Sequence, residues 1–168
     1  MKQFLIFICV ICILIPIAVY GGGIVKAIIM DVNCIDYFEL AADANSVNLA
    51  EKYLTQGIKY LEENNLTSGF TKIIVYKPTN DIGFWYENLK SAQTQLQELS
   101  QKEDLTELEE SNALMKLRET LLGPEGGVTH PQMISFYPNG SLWFWSMALI
   151  WMLWFVALAA GCIAHESY

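Results

Sequence analysis

Residues 81–100 read DIGFWYENLKSAQTQLQELS, and this stretch decides the fold. Trp85, Leu89, Ala92, Leu96 and Leu99 recur at spacings of 4, 3, 4 and 3, which lays one apolar stripe along an amphipathic helix. Asp81 stands where an N-cap belongs, its carboxylate placed to accept from free amides of the first turn. Carried onward, the register meets Glu103, Thr106 and Glu110, so the stripe stops; apolar positions resume out of phase at Leu114, Leu117 and Leu121. Two arrangements fit: a hairpin turning through Ser100–Asp104, or one long helix with a phase shift. The T-x-x-E of Thr106 and Glu109 is a capping-box signature that favours the hairpin. Gly123-Pro124 ends the second helix.

Upstream, Val47, Ala50, Leu54, Ile58 and Leu61 form a second stripe at spacings of 3, 4, 4 and 3. This predicts a helix starting near Asp36, or running on from the preceding apolar segment, and ending at Asn64-Asn65. Between the two stripes lies FTKIIVY, Phe70–Tyr76, short and rich in β-branched and aromatic residues, bounded by Gly69 and Pro78. It reads as a strand. A lone strand is unstable, and the only similar stretch is Met133–Tyr137, so a two-stranded patch is the expected β content.

With 53% hydrophobic residues and a mean hydropathy of +0.29, the chain carries an apolar surplus for its length. It is located at the ends: residues 3–25 and 141–164 contain no charge, and each exceeds the roughly 20 residues a helix needs to cross a bilayer. The N-terminal segment, FLIFICVICILIPIAVY followed by Gly21–Gly23, resembles a signal peptide but lacks a good small-x-small cleavage site, so an uncleaved signal anchor is expected. In the C-terminal segment Trp143 and Trp145 mark the entry, while Trp151 and Trp154, three apart, share a face suited to packing on a neighbour. The sequence thus predicts a mainly α protein in which two transmembrane helices flank a small antiparallel helical bundle. The domains are a signal anchor (1–30), an extramembrane domain (31–141), a C-terminal transmembrane helix (142–164) and a short tail (165–168). The signal-like start places the central domain in the periplasm of a bacterial inner-membrane protein.

Seventeen acidic against eight basic residues give the central domain a formal charge of −9, which disfavours nucleic acid and anionic lipid headgroups. Cys9, Cys12 and Cys162 lie in the apolar ends and Cys34 stands alone in the body, so neither a disulfide framework nor a complete zinc site can be assembled. No cofactor or metal is expected. Asp36, Glu39 and Asp43 align three carboxylates on one helical face, a pattern far commoner as a solvated surface than as a cation site. His130 and His165 lie in separate segments, and no catalytic motif accompanies either. Phe84, Trp85 and Tyr86 point about 100° apart around a helix, so one neighbour cannot bury all three. At least one should face a second surface.

The blocks FELAADAN (38–45), YLEENNLTSGFT (60–71) and GFWYENL (83–89) resemble ones found in a group of small bacterial two-pass membrane proteins. The resemblance implies an envelope setting and no particular activity. The leading expectation is a non-enzymatic interaction or scaffold subunit that contacts membrane lipid and a protein partner or a second copy of itself. Its candidate surface comprises Phe84, Trp85, Tyr86, Leu89, Leu96, Trp151 and Trp154. In a self-associating version, Leu89→Asp or Leu96→Asp should disperse the assembly. The alternative is a ligand-sensing module, which would need a separate transducer because only four residues follow Ala164; an enzyme, resting only on Asp36, Glu39, Asp43 and His130, comes third.

Overall fold

A computed structural model describes the backbone of residues 14, 17–18, 20–72 and 77–166, and the side chains of all of these except 142–143 and 156–166. Residues 20–30 are helical and run without a break into a π-helical turn, Asp31–Ile35, and then into α1, Asp36–Ala42. The extra residue of the π turn shifts the helical phase. Met30, Cys34, Ile35, Phe38, Ala41 and Ala42 are all buried along this one continuous rod.

The rod stops at Asp43. Ser46 is extended, and its hydroxyl accepts from the Leu49 amide at 3.4 Å, capping α2, Val47–Glu63. The predicted stripe of α2 is buried as read, with Gly57 added to it. A Cβ at Gly57 would overlap the Phe38 ring, so the two helices meet closely there. The end of α2 is a Schellman turn. Asn65 is left-handed at φ 56, and Leu66 and Asn65 donate to the Leu61 and Glu62 carbonyls at 2.8 and 3.2 Å, which satisfies two orphan acceptors.

Asp81 caps α3, Ile82–Ser100, its Oδ1 accepting from the Phe84 amide at 3.2 Å. A turn follows, and α4, Glu107–Leu121, opens on the expected capping box: Thr106 Oγ1 accepts from the Glu109 amide while Glu109 accepts from the Thr106 amide. The expected turn through Ser100–Asp104 therefore separates two helices. α2 is central, with α1, α3 and α4 packed on it. Phe38, Leu54, Ile58, Leu61, Ile82, Leu89 and Leu121 are the largest of the side chains that fill the shared core.

The single helix expected from Asp36 onward is two, α1 and α2, separated by the turn at 43–46. The β patch is not formed as expected. Met133–Tyr137 coils into a 3-10 turn, Ile134–Phe136, entered through Met133 at φ 62, and no strand occurs among the described residues. Phe70 instead makes an isolated antiparallel bridge with Asp81. Residues 73–76 of the expected strand lie outside the described residues.

α5 runs Gly140–Glu166, over the expected C-terminal span. Its side chains are described from 144 to 155 only. Among the described residues, no helix is long and apolar enough to cross a membrane. That finding overturns the integral-membrane placement and the periplasmic orientation built on it. Most of the N-terminal anchor, 1–13 with 15, 16 and 19, lies outside the described residues.

Candidate functional site

The first turns of α3 send the aromatic triplet in three directions. Phe84 is 61% exposed. Trp85 packs edge-on against Phe38, with ring centroids 5.7 Å apart at 89°. The Tyr86 hydroxyl donates to Glu62 Oε1 at 2.7 Å, and Lys90 Nζ reaches the same oxygen at 3.4 Å. Burial, followed by the Glu62 acceptor, pushes the Tyr86 phenol up to about 12. Glu62 is lowered in turn, chiefly by the Tyr86 hydrogen bond. Trp85 and Tyr86 thus fasten α3 to α1 and α2, and Phe84 is left to the surface.

Phe84 forms one wall of a cleft of about 480 Å³, whose lining includes Lys72, Lys77, Asn80, Trp85 and His130. Four chain segments meet there: the strip before α3, the first turns of α3, the end of α4 and the loop at 129–132. A smaller hollow of about 270 Å³ is the seam between α3 and α4, lined by Ala92, Leu96, Leu99, Ala113 and Leu117 among others.

The cleft has an unusual charge. Of the eight basic residues of the body, Lys59, Lys90, Lys102 and Arg118 are ion-paired. Lys116 donates to Gln95 at 2.9 Å, and Lys52 lies over the Tyr53 ring. Lys72 and Lys77, both on the cleft, have no such partner among the described residues. Asn80, 2% exposed, is also in the lining. Its Nδ2 and the Oγ1 of buried Thr71 lack hydrogen-bond partners among the described residues, although the two backbones are joined by Thr71 N–H donating to the Asn80 carbonyl at 3.1 Å. The one carboxylate of the lining, Asp81, is engaged as the cap of α3.

The sequence-derived surface divides. Leu89 and Leu96 are each 2% exposed, so they are core and not surface. Trp151 and Trp154 are exposed on α5, in company with Phe144, Trp145, Leu149, Met152, Leu153 and Phe155. On the same helix Met147 and Ile150 are buried. Asp36, Glu39 and Asp43 are exposed, and Asp43 pairs with Arg118 at 3.3 Å. No group of three or more metal-ligating side chains gathers among the described residues. His130 is exposed at the cleft, with Nδ1 at 3.2 Å from the Pro131 carbonyl. The side chain of His165 lies outside the described residues.

Sequence reasoning missed the cleft because its lining comes from separated segments, none carrying a local motif. The only local signal was the demand of the aromatic triplet for a second surface. Comparison with known proteins found no matching family, no matching curated protein and no matching solved structure. What the fold defines is a class, a mainly α-helical bundle with an apolar helix following it.

Proposed function

We propose that this protein is a helical interaction protein that assembles with a second copy of itself through α5. The observation that carries the reading is the aromatic surface of α5, where Trp145, Trp151 and Phe155 are 64, 60 and 69% exposed. Contiguous apolar patches beyond a few hundred Å² are rare on monomers and mark interaction sites. Charge supports a second copy as the occupant. The α5 surface from 144 to 155 holds no ionisable side chain, so nothing in it selects an oppositely charged partner. Two identical faces can meet without burying a charge, and an isologous contact asks only that a patch match itself.

The test is the molar mass of the purified full chain by light scattering, for the natural protein and for Trp151→Asp/Phe155→Asp. These two residues lie four apart on one helical face and are exposed, so the folded body should persist in the variant, checked by far-UV circular dichroism. The natural chain is expected as a dimer or larger assembly and the variant as a monomer. A monomeric natural chain, or a variant of unchanged mass, would overturn the proposal. Monomers that co-sediment with phosphatidylcholine vesicles would also overturn it, by making a lipid surface the occupant.

A further inference from the structure

We infer that the cleft beside Phe84 binds a small organic anion, a monocarboxylate with an aromatic or branched apolar body. The inference goes beyond self-assembly and does not depend on it, since none of the cleft residues belongs to α5. A volume of about 480 Å³ falls in the range of small-molecule sites, which are apolar hollows with a few placed polar groups.

The lining sets two ammonium groups against one carboxylate. In a body of formal charge −9, the two lysines left without a partner among the described residues both line this one cleft. Asn80 adds a buried amide nitrogen with no acceptor among the described residues, an arrangement that is unfavourable unless something satisfies it. Asp81, the one carboxylate of the lining, has its Oδ1 taken up by the Phe84 amide at the head of α3, and the two ammonium groups outweigh its charge. The apolar half of the ligand is read from Phe84, whose ring is exposed, together with Trp85, Leu89 and Pro131. A bare inorganic anion would leave that wall unused. Phosphate and carboxylate share the headgroup chemistry, so the experiment separates them.

The experiment is calorimetric titration of the full chain with phenylacetate, phenyl phosphate, inorganic phosphate and benzylamine. Phenylacetate is expected to bind and benzylamine not. Lys72→Gln/Lys77→Gln should weaken phenylacetate about tenfold or more, as the loss of charge-assisted hydrogen bonds requires. Phe84→Ala should weaken phenylacetate and leave inorganic phosphate unchanged. Both variants alter exposed or half-exposed side chains, and thermal unfolding checks that they fold. Benzylamine binding as well as phenylacetate, undiminished affinity in the double lysine variant, or no heat with phenylacetate would each overturn the inference. Phenyl phosphate binding without phenylacetate would overturn the carboxylate assignment.

Discussion

Gly57 shows how closely one residue can tie two helices. It faces the ring of Phe38, which is fully buried and held on another side by Trp85. The Cys34 thiol donates weakly to the Gly57 carbonyl at 3.7 Å, and burial pushes that thiol up to about 12. A thiol so placed is a packing group, because the nucleophile is the thiolate. Two effects compete in Gly57→Ala. Alanine gains about 0.5–1 kcal/mol of helix propensity, whereas overpacking a filled core costs about 1–3 kcal/mol. Overlap with an aromatic ring that cannot swing away places the cost at the upper end, so the variant should be net destabilised by about 2–2.5 kcal/mol. A urea midpoint equal to or above that of the natural protein would show that Phe38 has room to move.

At the scale of the element, α4 depends most on its ends. Only Leu117 and Leu121 are buried on it, while Leu108 and Met115 are 71 and 58% exposed. Its start is fixed by Glu109, which Lys102 and then Thr106 hold well below its ordinary value of 4.5, at about 2. A carboxylate lowered on folding stabilises the native state above its unfolded value, and that contribution is lost as pH falls through the folded value. Glutamine can still close a capping box, so Glu109→Gln isolates the charge. The variant should unfold at a lower urea concentration at pH 7, with the gap closing between pH 4.5 and about 2. The gap should be small and salt-sensitive because the group is exposed; one that persisted unchanged at pH 2 would assign it to shape instead. This helix start was legible because its chemistry lies within four residues, as was the Asp81 cap. The break at 43–46 was not: Ser46 caps α2 with help from afar, Val47 N–H donating to Glu110 Oε1 at 3.0 Å. Nor was the 3-10 turn at 134–136, since ISF has strand-like composition and buried Ile134 turns it inward.

At the scale of the whole molecule, the heptad stripe of α3 is used up inside the body. Leu89 and Leu96 belong to the same buried cluster as Leu54, Ile58, Leu117 and Leu121. The sequence could not settle this, because an antiparallel hairpin packed on a third helix and a seam between two chains ask for the same 4-3 spacing. What separates them is where a charge would do its damage. Leu96→Asp removes a buried leucine, worth about 2–5 kcal/mol as alanine, and adds a carboxylate with no partner in the core, a further cost of several kcal/mol. Against a total stability of about 5–15 kcal/mol for a domain, this variant should lose its fold outright. Helical circular dichroism should fall and the cooperative urea transition should vanish. Trp151→Asp/Phe155→Asp should do the reverse, lowering mass while leaving that transition in place. A Leu96→Asp chain that stayed fully helical and became monomeric would show that the stripe joins two chains, and the division between a self-contained body and an assembling α5 would fail with it.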